Sequence, residues 1–222
     1  MSGARNTVAA PATLPRGEVL RLIIFDCDGV LFESWRANVA FYNSILASLD
    51  LPPLDDEGRR LCHTLSSPQL YARLFGPDPA LLRRVTDAAR RIDYGPFYAL
   101  MEPVPALEET LTQLAARCPL ALATNRGATV TGIVERFRLQ EFFPIRVGIL
   151  DVAHPKPAPD LLLACLERAN VAPEAALYIG DTDLDRIAAS AAGVAYVGVG
   201  PASGARWTIT GIRQLPRLLF GC

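Results

Sequence analysis

Residues 20–34 read LRLIIFDCDGVLFES. A short apolar run over 20–25 ends abruptly in two carboxylates, Asp26 and Asp28, followed by Gly29. A strand with one wet face alternates polar and apolar residues, so an apolar run interrupted only by Arg21 predicts a parallel strand buried on both faces. Apolar residues then fall at helical spacing from 34 to about 49, with Ser34 as the expected N-cap and Pro52-Pro53 closing the stretch. Further helices are expected at about 55–62, 68–75 and 79–100, and nothing between 34 and 101 reads as a strand. Trp35, Phe41, Tyr42, Tyr94, Phe97 and Tyr98 would give this all-helical block a core of its own.

After Pro103 and Pro105 the pattern changes. Helices expected at 106–117, 129–137, 159–169 and 184–192 alternate with apolar strands at 120–123, 145–149, 176–179 and 194–199. Such alternation implies a parallel sheet covered on both faces, an α/β doubly wound, Rossmann-like core. The expected organisation is a flexible N-terminal tail (1–18), a core domain in two pieces (19–33 and 104–222), and an all-helical cap domain (34–103) inserted after the first strand.

The 222 residues are 50% hydrophobic and carry a net charge of −1, enough for a sizeable core and without the basic surplus that nucleic acid requires. No apolar run is long enough to span a bilayer, and the N-terminal stretch lacks the continuous apolar segment of a secretory signal. Five scattered cysteines without CxxC spacing suit buried free thiols in a cytoplasmic setting. Lys156 is the single lysine in a chain with 22 lysine and arginine residues together. Keeping a compact ammonium at one address, where arginine serves everywhere else, marks that address.

In open parallel sheets, ligands lie beyond the carboxyl ends of the strands. Asp26 and Asp28 follow the first expected strand, Thr124 and Asn125 the second, and Asp181, Asp183 and Asp185 the fourth, while Lys156 comes shortly after the third. So many carboxylates in one crevice call for a divalent cation, and hard oxygen donors without a histidine or cysteine cluster favour Mg²⁺. A carboxylate can attack phosphorus to give an aspartyl-phosphate. A hydroxyl and an ammonium can hold the phosphoryl oxygens, and a second carboxyl two residues on can protonate the leaving oxygen and later activate water. Gly29 allows the sharp turn that keeps Asp26 and Asp28 on the crevice side.

FDCDGVLFES (25–34) resembles the DxDGxL signature of the haloacid dehalogenase superfamily. ATN (123–125), KPAPD (156–160) and IGDTDLD (179–185) are similar to its second, third and fourth motifs, in the same order. The helical block is similar to the cap of the branch that holds phosphoglycolate phosphatases and β-phosphoglucomutases. The resemblance implies Asp26 as nucleophile and metal ligand, and Asp28 as general acid/base with its carbonyl on the metal. It implies Thr124, Asn125 and Lys156 on the transferring phosphoryl group, and Asp181 on Mg²⁺. Asp185 would be a further ligand or a partner behind one, with Asp183 competing for that role. Asp183 also reads as a helix N-cap, and Thr124 as another.

Outside the motifs, His63 is a candidate substrate contact in the cap, set against a histidine bonded to backbone. Arg126 is a candidate contact for a substrate anion, set against a surface charge. The expected activity is Mg²⁺-dependent hydrolysis of a small phosphorylated metabolite by a monomer or homodimer, with no nucleic-acid or membrane partner. A phosphomutase and a non-catalytic binding protein on the same fold are the alternatives. The absence of any cap lysine disfavours the mutase.

Overall fold

A computed structural model describes residues 13–221; residues 1–12, most of the expected tail, and Cys222 lie outside the described part. The elements run in the order β1 (Leu22–Phe25), β2 (Phe32–Glu33), α1 (Trp35–Ala47), α2 (Asp56–Thr64), α3 (Ser67–Phe75), α4 (Pro79–Arg91) and β3 (Glu102–Pro103). They continue with α5 (Leu107–Ala115), β4 (Leu120–Ala123), α6 (Thr129–Arg136), β5 (Ile145–Val147), α7 (Asp160–Ala169), β6 (Ala176–Gly180), α8 (Asp183–Ala192), β7 (Ala195–Val199), β8 (Trp207–Ile209) and α9 (Leu215–Phe220).

Six strands form one parallel sheet in the order β5-β4-β1-β6-β7-β8. β1 is central, and the winding reverses there: the chain builds outward through β4 and β5, then crosses to β6, β7 and β8. Ligands gather at such a switch point. Phe25 pairs with Leu122 on one side and Ile179 on the other, so β1, β4 and β6 end level with one another. The unbroken apolar run of β1 is explained by its two faces. Ile23 and Phe25 enter one buried cluster with Leu111, Leu114 and Phe143, while Leu22 and Ile24 enter the other with Leu161, Leu162 and Tyr178. Burying side chains of this kind stabilises the fold by about 1.5–3 kcal/mol each.

Helices α1–α4 build a third cluster from Tyr42, Ile45, Leu46, Leu70, Tyr71 and Val85. Asp55 and Asp78 cap α2 and α4 by accepting from Gly58 and from Ala80 and Leu81. The expected long helix over 79–100 ends at Arg91, and a 3₁₀ turn, Gly95–Leu100, follows. Its aromatics do not join the helical block's core. Tyr94, Phe97 and Tyr98 pack on the sheet's cluster, with Phe41 touching both clusters. Trp35 is 39% exposed. Leu14 is buried against the sheet domain, so the expected loose tail is already packed at this residue.

The chain leaves the sheet layer through β2 and returns through β3, and these two short strands pair antiparallel, Phe32 with Pro103 and Glu33 with Glu102. The sixth strand β8 and helix α9 were not expected. No helix among the described residues is long and apolar enough to cross a membrane.

Candidate active site

Asp26 is the first residue past β1, and its amide donates to the Ile179 carbonyl at 2.8 Å, a last rung of sheet that points its side chain over the strand ends. Gly29 then turns with φ +73°, and any Cβ there would overlap the Asp181 carboxylate. Only glycine allows the β1 loop and the β6 loop to approach this closely. Carboxylate oxygens of Asp26, Asp181 and Asp185 lie within 4.8 Å of one another.

Lys156 stands among them, with 3% of its surface exposed. Its Nζ donates to Asp185 Oδ1 at 2.7 Å and to the Tyr178 hydroxyl at 3.1 Å. It also lies 2.9 Å from Asp26 Oδ1, at ion-pair distance but without hydrogen-bond alignment. Asn125, expected on the phosphoryl group, spends its side chain on the backbone of Lys156. Its Oδ1 accepts from the Lys156 amide at 2.9 Å and its Nδ2 donates to the carbonyl at 3.3 Å. Thr124 is buried, and its hydroxyl accepts from the Arg126 amide at 3.2 Å, which leaves the hydroxyl proton to donate into the cavity. It does not cap a helix, because α6 begins only at Thr129.

Asp183 and Asp185, between which the sequence leaves the choice open, have different surroundings. Asp183 is exposed and paired with Arg186 at 2.7 Å. Thr182, not Asp183, is the N-cap of α8. Asp185 is fully buried and both its oxygens are occupied. Oδ1 accepts from Lys156 and Tyr178, and Oδ2 from the Thr182 hydroxyl at 2.6 Å and the amides of Asp181 and Thr182. It therefore stands behind the site, holding Lys156 and the 181–182 turn. Asp26 Oδ1 and Asp181 Oδ1 are the buried carboxylate oxygens of the cluster left without a hydrogen-bond partner among the described residues.

The electrostatics follow from this arrangement. Burial raises the Asp26 carboxyl to about 7, with Lys156 pulling it down and Asp185 and Asp28 pushing it up. Burial and then the Asp26 charge raise Asp181 to about 8. Burial would also raise Asp185, but Lys156 and the donated hydrogen bonds reverse this and hold it below the ordinary carboxylate value. Two unsatisfied hard oxygens on carboxyls made reluctant to ionise are what a divalent cation would relieve. The donor set fits Mg²⁺.

Above this cluster is a cavity of about 530 Å³ between the sheet ends and the helical block, whose walls include Asp26, Asp28, Thr124, Arg126, His63 and Tyr71. His63 is half-buried, and its Nδ1 has no partner among the described residues, in contrast to the backbone-bonded alternative. The Tyr71 hydroxyl is likewise buried and unpartnered, a polar group that sequence reading missed because it looks like one more core aromatic. Cys27 is buried beside Phe25, and His154 is exposed and within 3.0 Å of Asp160.

Asp28 and Arg126 depart most from expectation. Arg126 is not a surface charge: its side chain is 9% exposed and it grips Asp28 with both edges, Nε to Oδ2 at 2.7 Å and Nη2 to Oδ1 at 2.6 Å. The Ser34 hydroxyl, expected to cap α1, donates instead to Asp28 Oδ1. Burial alone would raise the Asp28 carboxyl, but the Arg126 charge and hydrogen bonds lower it below its ordinary value.

Residues 23–199 match the haloacid dehalogenase-like hydrolase family. Phosphoglycolate phosphatase 1 of Pseudomonas aeruginosa is 31% identical over 182 residues, covering 78% of this chain and 67% of that protein. The Escherichia coli phosphoglycolate phosphatase is 28% identical over 211 residues, 82% of each chain. A haloacid dehalogenase-superfamily hydrolase of subfamily IA from Geobacter sulfurreducens superposes with a TM-score of 0.71 at 33% identity, covering 93% of this chain and all of that one. The match spans the loops that carry Asp26, Thr124, Lys156 and Asp181, and on it the chain belongs to the haloacid dehalogenase-like hydrolases.

Proposed function

We propose that this phosphatase hydrolyses a small phosphomonoester in two displacements at phosphorus, through a phosphorylated Asp26. The supporting observation is the pairing of a buried, unsatisfied carboxylate at the centre of the sheet with a fixed ammonium 2.9 Å away. Asp26, Asp181 and the Asp28 carbonyl would hold Mg²⁺, which supplies charge neutralisation between the carboxylate nucleophile and the incoming phosphate.

In the first displacement Asp26 Oδ attacks phosphorus and the ester P–O bond breaks; Asp28, once parted from Arg126 and carrying a proton taken up from solvent, gives that proton to the leaving oxygen. Lys156 and the Thr124 hydroxyl hold the charge on the equatorial oxygens, which is where most of the catalytic gain in phosphoryl transfer arises. In the second, Asp28 takes a proton from water, whose oxygen attacks phosphorus and frees Asp26 and phosphate. Asn125 acts one step removed, by fixing the Lys156 backbone. The cavity under the helical block would exclude bulk water from the first displacement. Its relatives' names point to small acidic esters such as phosphoglycolate as substrates to try first.

Asp26→Asn tests the reading directly. Release of p-nitrophenol from p-nitrophenyl phosphate should fall about 1,000-fold or more, because the amide cannot form the covalent intermediate. Turnover retained in the variant, with the fold intact by circular dichroism, would overturn it.

A further inference from the structure

Tyrosine is an unexpected residue for the middle of β6. The strand reads ALYIG and is buried along its whole length, and Tyr178 pairs with Ile24 of β1 on one side and Tyr196 of β7 on the other. Its side chain belongs to the cluster of Ile24, Leu162 and Ala188, with no surface exposed. Phenylalanine would bury the same ring without a polar atom, and a buried hydroxyl costs free energy unless it is bonded. Here it is bonded twice, and both partners are charged. The hydroxyl accepts from Lys156 Nζ at 3.1 Å and donates to Asp185 Oδ1 at 2.7 Å.

The three groups close a triangle, since Lys156 Nζ also donates to Asp185 Oδ1 at 2.7 Å. An ammonium has three N–H donors, and these two partners fix two of them. Asp26 Oδ1 is 2.9 Å from Nζ but off the line of a hydrogen bond. The third donor is therefore left for the phosphoryl oxygen that Lys156 holds in the proposed reaction. Without the hydroxyl, the flexible lysine stem could turn about its Asp185 bond and bring the ammonium squarely onto Asp26. That would mask the nucleophile and abandon the phosphoryl oxygen. Asn125 does not prevent it, because its side chain bonds only the Lys156 backbone.

Resting on the phosphatase reading, we infer that Tyr178 is a positioning residue whose hydroxyl holds the Lys156 ammonium off Asp26 and aims its third N–H at the phosphoryl group in flight. The ring sits in the close-packed layer against the sheet, so the hydroxyl is a fixed point against which a flexible side chain is set.

Tyr178→Phe removes the oxygen and keeps the ring. With the full chain and Mg²⁺, kcat on p-nitrophenyl phosphate should fall about 10- to 100-fold while KM stays within about threefold, the size expected for a lost bond to a charged group. Orthovanadate becomes five-coordinate on an oxygen nucleophile and so imitates the phosphoryl group in flight, whereas inorganic phosphate imitates the ground state. The inhibition constant for vanadate should rise about tenfold or more, and that for phosphate by no more than about threefold. A hydroxyl that only supports the fold would lower the melting temperature or the active fraction and leave both constants alone. That result overturns the inference, as does wild-type turnover in the variant.

Lys156 is the chain's single lysine, so labelling lysine with ¹⁵N at Nζ gives one ammonium signal. In the wild type its protons should exchange slowly with water and show a nuclear Overhauser contact with the Tyr178 ring. Absence of that contact overturns the inference even where Tyr178→Phe does not fold. A wild type inactive on p-nitrophenyl phosphate counts against the phosphatase reading itself; an active wild type with an unaltered variant counts against this inference alone.

Discussion

A guanidinium in place of the Lys156 ammonium would have to fit a planar group between Asp26, Asp185 and Tyr178, where a point charge bonds two oxygens and lies 2.9 Å from a third. This explains why lysine survives at that one address. Lys156→Met should be more damaging than a lost surface pair, because it strands two buried carboxylates. A loss of about 3–5 kcal/mol is expected from breaking a buried pair, read by urea unfolding, and turnover should fall with it. A variant as stable as the wild type would mean that Asp185 and Asp26 are held by something else. The address was legible in sequence from composition alone. The role of Arg126 was not, because a residue after a motif carries no mark of burial; only the fold brings Asp28, 98 positions away, to its fork. Asp185 was ambiguous for a related reason, since an acidic residue at the start of a helix reads as cap, ligand or support until its donors are seen.

Among the elements, α8 does more than cover the sheet. Thr182 caps it, accepting from the Asp185 amide, and the same hydroxyl donates to Asp185 Oδ2. One turn of helix therefore fixes the carboxylate that fixes Lys156. Thr182→Ala should cost about 1–2 kcal/mol as a lost cap and also weaken Mg²⁺-dependent activity, whereas Thr182→Ser should keep both. Equal thermal stability and activity in the alanine variant would show the cap to be idle. The strands β1, β4, β6 and β7 were readable because each is buried on both faces and writes a continuous apolar run. β8 has three residues at the sheet edge, Trp207 to Ile209, too few to set a period. The expected helix over 79–100 ran too far because aromatic spacing continued past Arg91, while Gly95 and Pro96 had already ended it.

At the scale of the whole molecule, the buried carboxylates tie stability to pH. Asp26 and Asp181 are raised to about 7 and about 8, so between the ordinary carboxylate value and these figures the folded state holds more protons than the unfolded one. Stability without metal must then fall as pH rises through that window. Asp28 and Asp185 are lowered and act in the opposite sense, but only below about pH 5, where the unfolded chain still titrates. In EDTA the melting temperature should drop by at least about 5 °C between pH 5.5 and 8, given about 2–4 °C per kcal/mol for a chain of this size. Mg²⁺ should flatten the dependence and raise the pH 8 value most. A melting temperature that rises with pH in EDTA would contradict the site's electrostatics, and indifference to Mg²⁺ would remove the cation from the reading.

The pairing of Phe32 with Pro103 and Glu33 with Glu102 has a mechanical consequence. The chain enters and leaves the segment from α1 to the 3₁₀ turn through two adjacent rungs of one ladder, so its two roots are pinned side by side. A swing about that ladder would have to part Phe41, Phe97 and Tyr98 from the sheet's cluster. It would also break the Asn38 and Tyr94 bonds to Arg126, so the guanidinium works as a latch between the block and the sheet.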